Sequence, residues 1–198
     1  MPEITLELIQ QLRERTGVGM MDCKKALQET GGDLEKAVDL LRKKGAAVAQ
    51  KRAANATAEG VVSAYIHPGS RLGVLVELNC ETDFVARTED VTRFAQDLGM
   101  HIAAFKPHCL DQTGVNPEFL EREKAIIREQ LQAAKKPENI IDQIMEGKLQ
   151  KIYTEICLLS QPWIKNDKIT VDEALKELIA KMGENIKIRR FARFEVGA

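Results

Sequence analysis

The sequence has almost no net charge, few aromatic residues, no long apolar run and no closely spaced cysteines. Its 198 residues carry 29 Lys and Arg against 30 Asp and Glu, a formal net charge of -1. A protein that coats a polyanion needs a basic excess to displace counterions, so bulk nucleic-acid binding is excluded. An acidic disordered tail is excluded by the same balance. The longest apolar runs are strand-sized, far short of the ~20 residues that span a bilayer, so no direct membrane binding is expected. Met1-Pro2-Glu3-Ile4 lacks the basic and apolar regions of a secretion signal, which leads to the expectation of a cytoplasmic protein.

Signs of catalysis are missing too. Cys23, Cys80, Cys109 and Cys157 contain no C-x-x-C pair, so zinc and redox motifs find no support, and the cysteines read as free thiols, buried except for Cys109. His67, His101 and His108 are not spaced for a shared metal. His101, on a helix beside an apolar stripe, reads as a packed histidine with one hydrogen bond. Gly17-Val18-Gly19 begins like a dinucleotide fingerprint, but Asp22 stands at the third glycine position and no strand precedes it. There is no P-loop, G-x-S-x-G or H-E-x-x-H sequence. The expectation is no metal site, no cofactor, no direct nucleotide binding and no covalent chemistry.

What is present is a change of period along the chain. Residues 5 to 43 read as three short helices. Thr5 caps the first, which carries Leu8, Ile9 and Leu12, and Gly17-Val18-Gly19 breaks it. The second carries Met21, Cys23, Ala26 and Leu27 and stops at Gly31-Gly32. Asp33 caps the third, with Leu34, Ala37, Val38, Leu40 and Leu41 inward, and Gly45 ends it. The Ala-, Lys- and Arg-rich stretch after it reads as a solvated helical linker. Gly60 to Ile66 and Leu72 to Leu78 then alternate as strands of an antiparallel hairpin, with Leu72, Val74, Val76 and Leu78 on one face. A helix follows, capped by Thr88, with Val91, Phe94, Ala95, Leu98, Ile102 and Phe105 as its stripe. Two helices over 118–134 and 138–158, split at Lys135-Lys136-Pro137, come next. A further helix runs from Thr170 to Met182, and a final strand from Ile186 to Val196. The fold class is α+β. A three-helix amino-terminal module (1–45), a helical linker (46–57) and a core (58–198) of small antiparallel sheet covered by helices make up the expected domains.

Two segments invite a functional reading. The last strand interleaves Lys187, Arg189, Arg190 and Arg193 with Phe191 and Phe194, a pattern found in nucleic-acid-stacking strands. Plain alternation accounts for it as well, with Ile186, Ile188, Ala192, Phe194 and Val196 inward and Arg190 as the misfit. The second segment, Glu81 to Arg87, lies where the hairpin hands over to the helix. Thr82 caps a helical turn there, Asp83 suits its positive end, and Phe84 either extends the core stripe or projects as a docking anchor.

The segment from Leu12 to Leu27, LRERTGVGMMDCKKAL, and the segment from Asn79 to Arg87, NCETDFVAR, resemble the two signatures of the elongation factor Ts family. The likeness continues through Tyr65-Ile66-His67, Lys136-Pro137-Glu138-Asn139, Glu146-Gly147-Lys148-Leu149, Leu158-Leu159-Ser160-Gln161-Pro162, Gly183-Glu184-Asn185-Ile186 and Arg193 to Gly197. It therefore covers essentially the whole chain.

The resemblance implies a guanine-nucleotide exchange factor for elongation factor Tu, with an amino-terminal module similar to ubiquitin-associated domains. Arg13, Met20 and Met21 match positions that dock on the partner's nucleotide domain. Asp83 and Phe84, flanked by Thr82 and Val85, match the wedge that displaces magnesium. His67, Met182 and Gly183 match other contacts with the partner. Thr88 stands where asparagine is common in the family. Longer members have two related halves in the core and this chain has one, which implies a homodimer. Two rivals stay open at this stage: a helical-module adaptor without exchange activity, and an RNA-binding protein using the arginine-rich strand.

Overall fold

The computed structural model describes residues 4–134 and 137–197. Thr5 starts helix α1 (Leu6–Thr16) by accepting the Leu8 amide on its hydroxyl at 3.3 Å, which satisfies one of the otherwise unpaired first-turn donors. Gly17 ends it with φ 68°, a left-handed cap that suits glycine. Helix α2 (Met20–Glu29) and helix α3 (Leu34–Arg52) follow, the latter capped by Asp33, whose carboxylate accepts the Lys36 amide at 3.1 Å. Ile9, Leu12, Cys23, Ala26, Leu27, Ala37, Val38 and Leu41 form one buried cluster among the three. Of the residues on the second helix, Cys23, Ala26 and Leu27 are sealed, whereas the Met21 side chain is 65% exposed.

Gly45 does not end α3. The helix passes through it to Arg52, and a Cβ at Gly45 would lie 3.0 Å from the Ala180 Cβ. The glycine marks a close approach of two helices, and its local helix cost of roughly 1 kcal/mol is met by that packing.

Strands β1 (Glu59–Ile66) and β2 (Leu72–Cys80) form the hairpin, with His67 donating its amide to the Leu72 carbonyl at 2.9 Å. Val74, Val76, Leu78 and Cys80 are the buried face of β2, the alternation of a half-covered strand. The one-turn helix α4 (Asp83–Ala86) and helix α5 (Glu89–Phe105) come next. Val91, Ala95, Leu98 and Ile102 are sealed, but Phe105 at the end of the stripe is 43% exposed and stacks on His101 at 4.5 Å.

Helices α6 (Pro117–Ala133) and α7 (Glu138–Ile156) make an antiparallel pair around Ile127, Leu131 and Ile141. Lys135 and Lys136, the break expected between them, lie outside the described residues. Between α7 and the next helix the sequence pattern predicts no element. The chain in fact forms a small antiparallel ribbon, β3 (Pro162–Trp163) with β4 (Asn166–Thr170). Two residues are too few for a period to register. Helix α8 (Val171–Met182) and strand β5 (Ile186–Glu195) complete the chain. The main sheet has the order β1-β2-β5, so the architecture is α+β with a helix-rich amino-terminal region.

The chain divides into two compact units. One holds Met1–Ser63, Glu77–Ala95 and Glu173–Arg189, the other Ala64–Val76, Gln96–Asp172 and Arg190–Ala198.

The inward face expected for β5 holds only for its first half. Ile186 and Ile188 are buried, but Phe194 and Val196 are 65% and 59% exposed. Arg189 and Arg190 are exposed in succession, so Arg190 is not inward. Two consecutive outward residues shift the alternation by one, which turns every later side chain over. Arg193, expected in water, is therefore half-buried and pairs with Glu195 at 2.7 Å, while Lys106 reaches the same carboxylate at 3.3 Å.

His101 meets its expectation of packing with one hydrogen bond. It is fully buried, Nε2 donates to the Gln161 Oε1 at 2.9 Å, and the ring stacks between Phe105 and Trp163. Nδ1 finds no partner, so a second proton there would be buried and unpaired. Burial accordingly holds the imidazole below its ordinary pKa near 6.5. The unfolded chain then binds a proton that the folded chain resists, so stability is full above about pH 6.5 and falls as pH drops below it. We expect the unfolding free energy, measured in urea from pH 7 to pH 5, to decline with acidity, and His101→Phe to flatten that decline.

Candidate functional site

Within the first unit, the turn after β2 brings together most of the corner residues singled out in the sequence. Thr82 has extended backbone (φ -127°, ψ 155°), and its hydroxyl accepts the Val85 amide at 3.4 Å to start α4. The buried face of that single turn is Ala86, 3% exposed. Phe84, one position after Asp83, points away and is 81% exposed. A four-residue helix can bury only one side, and the small Ala86 takes it. Of the two readings of Phe84, extension of the core stripe is therefore excluded. Val85 is half-buried, and Asp83 pairs with Arg87 at 3.1 Å one turn on, an exposed bridge of the kind worth little in stability.

So short a helix is not stable alone. Its base is held by two carboxylates that cross between the segment after β2 and the segment before β5. Glu184 accepts from the Thr82 amide at 3.1 Å and from the Thr82 hydroxyl at 2.8 Å. In return Glu81 accepts from the Asn185 amide at 2.6 Å, from the Asn55 side-chain amide at 3.0 Å and from Arg52 at 3.3 Å. Asn185, 2% exposed, donates onward to the Asn55 carbonyl at 2.8 Å and the Ala53 carbonyl at 3.4 Å. These hydrogen bonds, led by the Asn185 amide, hold the Glu81 carboxyl below the usual carboxylate range.

Met182 and Gly183 sit beside the same corner. The Thr88 hydroxyl donates to the Val85 carbonyl at 2.8 Å, lies 3.7 Å from the Met182 sulfur and accepts the Val91 amide at 3.4 Å, so Thr88 caps α5 as expected. Gly183 closes α8 with φ 70°, its amide reaching the Ile179 carbonyl at 2.8 Å. Arg13, Met20 and Met21 lie in the same unit on α1 and α2. Arg13 and Met21 are exposed, whereas Met20 rests partly against the three-helix cluster. His67 belongs to the second unit, exposed at the hairpin turn with its Nδ1 3.0 Å from the Tyr65 hydroxyl.

Glu81 opens the segment marked in the sequence, but its bracing role, and Glu184 and Asn185 as its counterparts, carry no local signal. The available signal was their placement, one carboxylate just after β2 and one just before β5. It becomes readable only once β2 and β5 are known to be neighbours.

Among the described residues, no group of three or more His, Cys, Asp or Glu side chains is placed to hold a metal ion, and no helix is long and apolar enough to cross a membrane. The corner offers an exposed aromatic beside an acid on a braced turn, an arrangement suited to protein contact. We expect Glu184→Ala to remove both bonds to Thr82 and to speed amide hydrogen exchange at Thr82 and Val85 by roughly tenfold or more, the effect of losing about 1.4 kcal/mol of local stability. Amides in α6 should keep their protection.

A family model described as Elongation factor TS matches residues 22–198. Among curated proteins, Elongation factor Ts from Carboxydothermus hydrogenoformans is 55% identical over 194 residues, covering 98% of this chain and 89% of that protein. Elongation factor Ts from Desulfotalea psychrophila is 54% identical over 195 residues, covering 98% and 99%. Elongation factor Ts from Nitratidesulfovibrio vulgaris is 52% identical, covering 98% of each. With that identity over nearly full length, the chain belongs to the elongation factor Ts family.

Proposed function

We propose that this protein is a guanine-nucleotide exchange factor that binds elongation factor Tu in its GDP form and drives out Mg²⁺ and GDP. The observation that carries the reading is the 81% exposure of Phe84 on a turn clamped at its base by Glu81 and Glu184. Leaving a phenylalanine in water forgoes roughly 1.5–3 kcal/mol of burial. A partner surface recovers that term when it takes the ring.

The partner carries the nucleotide, held by backbone amides, a lysine and Mg²⁺. Asp83 and Phe84, carried on the Thr82–Val85 turn, act as the wedge. The ring enters between partner elements and displaces the loops that coordinate the ion. Arg13, Met20 and Met21, on an amino-terminal module (1–45) of ubiquitin-associated type, dock on the partner's nucleotide domain. The exposed thioether of Met21 adapts to an apolar surface at low cost. The segment 46–57 links that module to the core (58–198). His67, Met182 and Gly183 add contacts.

Because nucleotide and exchange factor bind with opposed preferences, each weakens the other's affinity by the same factor, so GTP ejects the protein after exchange. Each 1.4 kcal/mol of coupling is about tenfold in nucleotide affinity. The chain itself supplies no covalent chemistry.

The test is release of a fluorescent GDP analogue from purified elongation factor Tu. Asp83→Ala with Phe84→Ala should leave the fold and some partner binding intact while stimulated release falls at least a hundredfold. Unchanged release by the double variant would remove the wedge assignment.

We further propose a homodimer formed by the core. In the second unit, Ile66, Leu75, Phe194 and Val196 are all exposed and line one shallow apolar depression with Leu72 and Val74. Exposed apolar groups that are contiguous mark an interaction surface, unlike scattered ones. Phe194→Asp should shift the protein to monomer in analytical ultracentrifugation at micromolar concentration. A dimer of unaltered affinity would place the interface elsewhere.

A further inference from the structure

We propose that Cys109 and Cys157 are a redox site, closing into a reversible intramolecular disulfide by exchange with a small-molecule disulfide such as oxidised glutathione. Both belong to the second unit, 48 positions apart in sequence, with sulfurs 3.6 Å from each other and no bond between them.

The pairing is built into the backbone. Cys109 and Cys157 face each other in a parallel β-bridge. Around it, the His108 amide donates to the Ile156 carbonyl at 2.8 Å, the Leu158 amide to the Cys109 carbonyl at 2.9 Å, and the Leu159 amide to the Leu110 carbonyl at 2.9 Å. Bridge partners stand about 5 Å apart, inside the ~4.4–6.8 Å that a disulfide spans between Cα atoms. Closure therefore needs side-chain rotation and little backbone movement. The short turn at Gln112–Gly114 lies over the pair, where a Cβ on Gly114 would come within 3.0 Å of the Cys109 Cβ.

The two thiols are unequal, and this sets the order of events. Cys109 is partly exposed while Cys157 is sealed. Burial, reinforced by the hydrogen bond with Cys109, pushes the Cys157 thiol up to about 12. Cys109, having lost its proton to water, attacks one sulfur of the small disulfide. That S–S bond breaks, and the first small thiolate leaves and takes up a proton. Cys157 then attacks the Cys109 sulfur, the mixed bond breaks, and the second small thiolate leaves with the Cys157 proton. Two electrons pass from the cysteine pair to the small disulfide, which ends as two thiols.

The site sits at the neck of the α6–α7 hairpin, where the chain leaves for α6 just after Cys109 and returns from α7 just before Cys157. A bond there ties both feet of the hairpin together and shortens the loop available to the unfolded chain. Cys23 and Cys80 are each buried, and burial pushes Cys80 up to about 11, so neither competes.

The test uses the full-length folded protein, equilibrated with oxidised and reduced glutathione at pH 8, acid-quenched, unfolded, alkylated and mapped by mass spectrometry. The expected result is one linked peptide pair joining Cys109 to Cys157, with Cys23 and Cys80 alkylated, reversed by dithiothreitol. Cys157→Ser should stop at the first step and retain a glutathione adduct on Cys109. A melting midpoint that rises on oxidation of the wild-type protein and returns on reduction would place the bond in the native fold. Alkylation of both thiols in oxidised wild-type protein, or a stable glutathione adduct on Cys109 without the link, would overturn the proposal.

Discussion

The structure around Phe84 depends on one exchange of hydrogen bonds. Glu81 holds the Asn185 amide and Glu184 holds the Thr82 amide and hydroxyl, so each segment caps the other. A single helical turn has no cooperative stability of its own. Ionised carboxylates that accept backbone donors form the stronger class of hydrogen bond, and here they stand in for the missing turns. The same pairing sets the start of β5, because Asn185 is locked immediately before Ile186.

This arrangement separates the anchor from the ring it presents. Ala86 and Val85 give the corner its modest burial, and Phe84 is left with almost none. An exposed aromatic on a flexible loop would lose conformational freedom on docking, at a cost of about 1 kcal/mol or more for each residue ordered. On a braced turn much of that ordering is already complete. The near-neutral charge of the chain agrees with a contact made through shape.

The sequence was informative where a local pattern carried its own cause. Thr5, Asp33 and Thr88 were readable as caps because capping involves residues three or four positions apart. Val74, Val76 and Leu78 were readable as one face because a strand alternates. Reading failed where a distant group intervened. Gly45 looked like a stop and is a contact point with Ala180. Phe194 and Val196 looked buried and are exposed, since Arg189 and Arg190 face outward in succession and turn the rest of β5 over. The β3–β4 ribbon was too short to show a period at all.

Sequence alone therefore determined the helices with their caps, the hairpin, the α+β class and, through two long signature segments, the family. These follow from interactions between near neighbours or from the identity of contiguous residues. Only the tertiary structure decided that Phe84 stands in water, that Glu81 and Glu184 brace it, and that Cys109 and Cys157 meet. Each of those depends on which strands and segments lie side by side. Pairing between residues 48 to 104 positions apart leaves no periodic trace in the chain.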